Sequence, residues 1–163
     1  MNIEIIRMEN DKIFLLRAIE IASDGISDGG GPFGAVIVKD GKIIAEAFNR
    51  VVLNTDPTAH AEILAIRKAS SILKSHELNE CTLYTSCEPC PMFLGAIYWS
   101  GIKKVIYSCD RIDAEAAGFS DSLIYNEIML DPSKRKISFI RMTGVGGEKV
   151  FGKWEDLENK IAY

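Results

Sequence analysis

The sequence predicts an α/β protein in which helices cover both faces of a five-stranded mixed sheet, in three layers. Three observations indicate this fold class: β-rich segments alternate with segments of helical period, the connections are short, and Asp40-Gly41 separates two apolar runs. Alternation of this kind is typical of a sheet packed between helices, and Asp-Gly between two apolar runs is a strong hairpin signal. We expect a single domain, 1–163, because domains average roughly 150 residues.

The first predicted elements are a helix and a hairpin. Residues 11–27 have a helical period that places Leu15, Ala18 and Ala22 on one face. A glycine-proline stretch at 29–32 ends this helix. Residues 34–39 and 42–48 then form the antiparallel strands that open the sheet.

The rest of the chain alternates further helices and strands. Pro57 precedes a predicted helix over 58–73 with Thr58 as its N-cap, and Pro91 begins a helix that ends at Gly101. The remaining predicted strands are 82–86, 103–108 and 136–142, which we expect to run largely parallel. The remaining predicted helices are 113–118, 121–130 and 148–159.

Composition and charge exclude several classes of protein. Apolar residues make up 47% of the chain, charged residues 26%, and the formal net charge is −4. A general nucleic-acid binder is usually basic, so this charge argues against that role. The N terminus lacks a signal-peptide pattern, and no apolar run approaches the roughly 18 residues that span a bilayer. We therefore expect a cytoplasmic protein without membrane partners, whose four cysteines are too few for a disulfide scaffold.

Two short motifs carry candidate metal chemistry, His60-Ala61-Glu62 and Cys87-Glu88-Pro89-Cys90. One imidazole and two thiolates make three protein ligands for zinc, and such a set leaves the fourth position of a catalytic site to water. Zinc lowers the pKa of that water toward neutrality and supplies a hydroxide nucleophile. Glu62 lies two residues after His60, on a different side of the predicted helix, which suits a carboxylate that moves protons.

Each motif lies at or just before a predicted helix start. The N-terminal end of a helix favours negative charge, so we expect it to help keep Cys87 and Cys90 as thiolates. Three further potential ligands, Cys81, Cys109 and His76, lie at spacings that match neither motif. We interpret them as structural residues, which leaves the zinc site without a fourth protein ligand.

The motifs match the zinc-deaminase signature His-x-Glu followed by Pro-Cys-x-x-Cys, except that Ser86 stands where the signature has proline. The chain therefore resembles the cytidine and deoxycytidylate deaminase superfamily, and within it the bacterial guanine deaminases. Phe93 also stands where many relatives have a further cysteine, a difference that we expect to leave the metal unaffected. The closer resemblance lies in residues 31–41, 56–62, 83–92, 94–99 and 117–122 and in the terminal tyrosine. About the first seven residues look like an extension.

The resemblance implies a fold, an activity and residue roles. It implies a cytidine-deaminase-like fold that binds one Zn²⁺ per chain and hydrolyses guanine to xanthine and ammonia, a step of purine metabolism. The implied zinc ligands are His60, Cys87 and Cys90, with Glu62 as the catalytic proton shuttle. The implied substrate contacts are Asn49, Ala61, Asp121, Tyr163, Phe33 and Trp99. The resemblance also implies a homodimer in which a swapped C-terminal segment, about 147–163, closes the partner's site.

Other interpretations stay open on the sequence alone. The metal motifs also fit a structural zinc site or, less well, a redox cysteine pair. The nearest enzymatic rival deaminates adenosine in tRNA; another nucleoside or aminated heterocycle is a further possibility, and a zinc-stabilised interaction module is the non-enzymatic rival. A tRNA enzyme is expected to have a basic C-terminal helix, whereas residues 152–163 contain two lysines and three acidic residues. The simpler interpretations of the substrate residues are a turn for Asn49, a helix cap for Asp121, core packing for Phe33 and Trp99, and a tail for Tyr163.

Overall fold

The computed structural model describes residues 3–162. The helices are α1 (Ile3–Ser27), α2 (Val51–Asn54), α3 (Ala61–Leu73), α4 (Pro91–Ser100), α5 (Arg111–Ala116), α6 (Ser122–Ile128) and α7 (Glu148–Glu155), with a 3-10 turn at Pro132–Lys134. The strands are β1 (Gly34–Lys39), β2 (Lys42–Phe48), β3 (Cys81–Cys87) and β4 (Lys104–Cys109). The hairpin strands agree with the prediction, and α1 begins eight residues earlier than the predicted start at residue 11.

The sheet is mixed and has the strand order β2-β1-β3-β4. Strand β1 is antiparallel to both β2 and β3, and β3 is parallel to β4. The expectation of largely parallel strands after the hairpin is therefore correct for β3 and β4 but wrong for β1 and β3. The reason is the crossover from β2 to β3 through α3, which passes over β1 and makes β3 parallel to β2. Strand β1 lies between them and is antiparallel to β2, so it is antiparallel to β3 as well.

The predicted fifth strand over 136–142 is wrong. Within residues 3–162 this segment pairs with no strand, and its apolar side chains Ile137 and Ile140 are 72% and 82% exposed. An alternating pattern expresses only a preference for extended backbone, whereas a strand forms only where a sheet edge satisfies its N–H and C=O groups. The described part of the sheet thus has four strands.

Two apolar cores lie on opposite faces of the sheet. Val36 and Val38 point to the core under α1, whereas Ala35 and Ile37 point to the core under α3 and α4. Gly34, the first residue of β1, allows α1 to lie close to the strand, because a Cβ at this position would lie 2.2 Å from a backbone oxygen of that helix. Helices thus pack on both faces of the sheet.

The start of α3 differs from the prediction in a way that matters for the site. Both the amide and the hydroxyl of Thr58 donate to Asp56 Oδ1, at 2.8 and 2.7 Å. This Asx-type turn holds Thr58 before the helix, so His60 becomes the N-cap and Glu62 lies in the first turn. The start of α4 at Pro91 and its end before Gly101 agree with the prediction, since both are fixed by local backbone preferences.

The chain divides into two compact units, Met1–Asp121 and Ser122–Tyr163. The first contains the whole described sheet and helices α1 to α5, and the second contains α6, the 3-10 turn and α7. In the second unit, Asp131 caps the 3-10 turn by accepting from the amide and the hydroxyl of Ser133. Among residues 3–162, no helix has the length and apolar character needed to cross a membrane.

Candidate active site

The four motif residues face one cavity in the first unit. His60 is the N-cap of α3, Glu62 lies in its first turn, Cys87 ends β3, and Cys90 is the N-cap of α4. All four line a cavity of about 680 Å³, within the range of small-molecule sites. The carboxyl end of a strand and two helix starts therefore bring together groups that are up to 30 positions apart in the sequence.

Two of the three predicted zinc ligands stand at a separation that fits a shared metal ion. His60 Nδ1 and Cys90 Sγ are 3.6 Å apart. Zinc–nitrogen and zinc–sulfur bonds of about 2.0 and 2.3 Å at a tetrahedral angle place such atoms about 3.5 Å apart. Burial lowers the pKa of His60, against the opposing effect of Asp121, which favours the neutral imidazole that binds metals.

Cys87 lines the same cavity, but its thiol contacts Asp110. Cys87 Sγ donates to the Asp110 carbonyl oxygen at 3.5 Å, and in the part of the chain that the structure describes no three potential ligands are gathered ready for an ion. Metal binding requires a thiolate, which cannot donate this hydrogen bond. The donor set His60, Cys87 and Cys90 therefore fits zinc in chemistry, and in geometry for two of its members.

Backbone amides at the start of α4 favour the thiolate of Cys90, in line with the expectation, but burial acts against the thiolates of both cysteines. Burial raises the pKa of the Cys87 thiol to about 11. Burial also raises the pKa of Cys90, although the backbone amides of Phe93 and Met92 favour its thiolate. Desolvation thus outweighs the helix start, and ionisation of these thiols depends on a bound cation.

Glu62 is held inside the protein, away from bulk water. Glu62 is 3% exposed, and its Oε1 accepts a hydrogen bond of 2.6 Å from the hydroxyl of Thr85. Burial raises the pKa of Glu62 to about 7, although the Thr85 hydrogen bond opposes this shift. A buried carboxyl group that can exchange a proton near neutral pH suits general acid–base chemistry.

Asn49 lines the cavity through a tightly fixed backbone. The backbone amide of Asn49 donates to the Phe33 carbonyl, and the backbone carbonyl of Asn49 accepts from the Gly31 amide. A Cβ at Gly30 would lie only 2.4 Å from that carbonyl, so glycine is required for this approach. Asn49 Oδ1 also accepts from the Val51 amide at 3.3 Å, so the turn role and the position at the cavity coexist.

Asp121 and two aromatic rings complete the cavity wall. Burial raises the pKa of Asp121, and the nearby His60 opposes the shift. The rings of Phe33 and Phe119 meet edge to face, with centroids 4.9 Å apart and an interplanar angle of 85°. Phe33 thus presents a supported ring to the cavity, in line with its predicted position.

Three predicted substrate residues are not seen in this cavity. Trp99 lies on α4, is 70% exposed and does not line the cavity. Ala61 is fully buried as the first residue of α3 and also does not line it. The prediction for Tyr163 lies outside the described residues.

Two residues of the site were not assigned a role from the sequence. Thr85 bonds Glu62, and Phe119 supports Phe33. A signal for Thr85 was present, because strand alternation puts it on the same face as Cys87, two residues later. Phe119 follows Gly118 in a loop, where no periodicity indicates the direction of a side chain.

Comparison with known proteins agrees with the motifs. The family model of the cytidine and deoxycytidylate deaminase zinc-binding region matches residues 8–109. The guanine deaminase of Bacillus subtilis (strain 168) is 52% identical over 155 residues, which cover 94% of this chain and 99% of that protein. The X-ray structure of guanine deaminase from Bacillus subtilis has a TM-score of 0.90 and 50% identity, and the match covers 100% of this chain and 99% of that one.

A tRNA-specific adenosine deaminase from Haemophilus influenzae is similar over less of the chain. It is 38% identical over 114 residues, which cover 69% of this chain and 66% of that protein. The resemblance drawn from the sequence motifs is confirmed by these matches. The chain belongs to the family of cytidine and deoxycytidylate deaminases, which it matches through their zinc-binding region.

Proposed function

We propose that this protein hydrolyses guanine to xanthine and ammonia. The observation that carries the proposal is the buried Glu62 in one cavity with His60 and Cys90, whose Nδ1 and Sγ stand 3.6 Å apart. The choice of guanine is supported by the similarity to a guanine deaminase over 94% of the chain, against 69% for the tRNA deaminase. The reaction belongs to purine metabolism, and the four free cysteines agree with a reducing, cytoplasmic setting.

His60, Cys87 and Cys90 would hold one Zn²⁺ per chain. When bound, zinc acts as a Lewis acid that lowers the pKa of a coordinated water. The three protein donors leave a position for that water, as in catalytic sites. To serve as a ligand, Cys87 would have to lose its thiol proton and give up its hydrogen bond to the Asp110 carbonyl.

Glu62 moves the protons of the reaction. Its carboxylate accepts a proton from the attacking water while the water oxygen bonds to the amine-bearing ring carbon of guanine. The same carboxyl group then protonates the adjacent ring nitrogen. It next takes the remaining proton of the added hydroxyl and passes it to the amine, so that the carbon–nitrogen bond breaks, ammonia leaves and xanthine remains. Burial supports this role, because it keeps the proton on the side chain and the substrate rather than in bulk water.

Substrate recognition uses the residues on the cavity wall. Guanine presents several N–H donors, which a carboxylate acceptor such as Asp121 complements, and Asn49 offers amide groups to the ring. Phe33, supported by Phe119, lies where it can contact the face of a purine. Ala61 and Trp99 stay predictions as substrate contacts, and neither lines this cavity.

The protein is also proposed to act as a homodimer. The C-terminal segment, about 147–163, would close the site of the partner and bring Tyr163 to the substrate. Exposed apolar side chains on α7 support this, since Val150 and Phe151 are 67% and 74% exposed. In this proposal the sequence 1–163 works as one deaminase domain whose last segment is exchanged between subunits.

Ammonia release from a panel of substrates tests the proposal. The zinc-loaded protein is offered guanine, guanosine, adenine, cytosine, cytidine and a tRNA hairpin that contains adenosine. We expect release from guanine and none from the hairpin. Release from the hairpin with none from guanine would replace this function with tRNA editing.

A further inference from the structure

We infer that Thr85 is a positioning residue that holds the carboxylate of Glu62 in place through Oε1. The inference rests on the proposed function for its kinetic consequences. It adds to the motif residues a residue of the sheet that fixes where the Glu62 carboxylate lies.

The Thr85 hydroxyl is rigidly placed. Thr85 is fully buried in β3, where it pairs with Ala35 on one side and with Tyr107 on the other. A β-branched side chain has few χ1 choices, and pairing on both sides fixes the backbone. Its hydroxyl therefore reaches the carboxylate of α3 from a fixed point on the sheet.

The contact is short and crosses between two elements. Thr85 Oγ1 and Glu62 Oε1 are 2.6 Å apart, within the range of hydrogen bonds that an ionised oxygen accepts. A hydroxyl has one proton to donate, so it occupies one carboxylate oxygen at a time. The contact therefore anchors the carboxylate at Oε1, while Oε2 and the second acceptor position of Oε1 stay open to water and substrate.

This arrangement has a kinetic consequence. Proton transfer requires the acceptor within hydrogen-bond reach, and a carboxylate free to rotate spends less time in that position. Loss of the hydroxyl should therefore slow turnover more than it weakens the binding of guanine, since Thr85 does not line the cavity. A hydroxyl needed only for folding would change stability without this split.

The test compares Thr85→Val, which removes the hydroxyl at nearly constant volume, with Thr85→Ser, which keeps it. Thr82→Val is the matched control, because Thr82 lies on the same strand but at a position of opposite parity. We expect Thr85→Val to lower kcat roughly 10- to 100-fold, the size of a hydrogen bond to a charged group, with KM changed less than about twofold. Zinc content should stay near one per chain, and Thr85→Ser should restore kcat to within about threefold.

The inference is overturned if folded Thr85→Val keeps its kcat, or if Thr85→Ser is as slow as Thr85→Val. If the unmodified, zinc-loaded protein releases no ammonia from guanine, the proposed function fails separately. A double-mutant cycle on the unfolding equilibrium, with Thr85→Val and Glu62→Leu, then decides the contact. Coupling of about tenfold or more supports the contact on which the inference depends, and additive effects overturn it.

Discussion

Replacement of Glu62 by glutamine tests the proton shuttle with little change in shape. The amide oxygen of glutamine can still accept the hydrogen bond that Thr85 donates at 2.6 Å, so the local structure should persist. Glutamine cannot take up or release a proton at neutral pH. General acid–base groups contribute about 10²- to 10⁴-fold, which corresponds to about 3–5 kcal/mol of transition-state stabilisation.

Because Glu62 is buried, we expect the loss of kcat in Glu62→Gln to lie toward the upper end of that range. Glu62 is only 3% exposed, so bulk water has little access with which to replace the missing proton carrier. Initial rates of xanthine formation measure kcat, and metal analysis of the same sample measures zinc per chain. Glu80→Gln is the control, because Glu80 forms a surface ion pair with Lys39 and should leave kcat unchanged.

Two results would refute this reasoning. Retention of more than about a tenth of kcat in Glu62→Gln would show that another group moves the protons. Loss of zinc together with activity would make Glu62 a metal ligand, contrary to its contact with Thr85.

Three further predictions concern recognition and stability. Asp121→Asn should raise KM for guanine about 10-fold or more, because an acceptor for its N–H groups becomes weaker; an unchanged KM from initial rates contradicts the role. The hydrogen bond from Arg17 lowers the pKa of Glu46, so this pair stabilises the fold above the ordinary carboxyl pKa and loses its effect as the pH falls below it. Glu46→Gln should therefore cost about 0.5 kcal/mol at pH 7, a small value because both side chains are about one-third exposed, and less at about pH 3, below the ordinary carboxyl pKa; an equal cost in urea titrations at both pH values argues against the pair. Gly34→Ala should cost about 1–3 kcal/mol of unfolding free energy, because its Cβ would lie 2.2 Å from the backbone of α1, whereas Gly95→Ala meets no atom within 4 Å and should be neutral or stabilising; equal effects would contradict the packing account.

Local signals predicted much of the fold. The hairpin about Asp40-Gly41 and the limits of α4 at Pro91 and Gly101 follow from backbone preferences of a few adjacent residues, and the structure agrees with them. The pairing of β1 with β3 depends instead on where a crossover returns, which no local pattern records. Residues 136–142 have the composition of a strand without a partner in the described chain, so composition alone misassigned them.

The candidate site was predictable where it depends on motif spacing. His60, Glu62, Cys87 and Cys90 were found because metal and proton chemistry require those residue types at those intervals, and one cavity contains all four. The ionisation of the thiols was not predictable, because desolvation depends on the packed environment of each sulfur. The exposure of Trp99 was not predictable for a similar reason, since its side of α4 is known only once the helix has packed.

Hydrolysis of guanine in water enriched in ¹⁸O tests the central claim most directly. The zinc-loaded protein is incubated with guanine, and the products are measured by mass spectrometry and by an ammonia assay. We predict xanthine that carries one oxygen from the solvent, together with one equivalent of ammonia. Absence of xanthine under conditions in which the same sample deaminates the adenosine of a tRNA hairpin would contradict the proposed function.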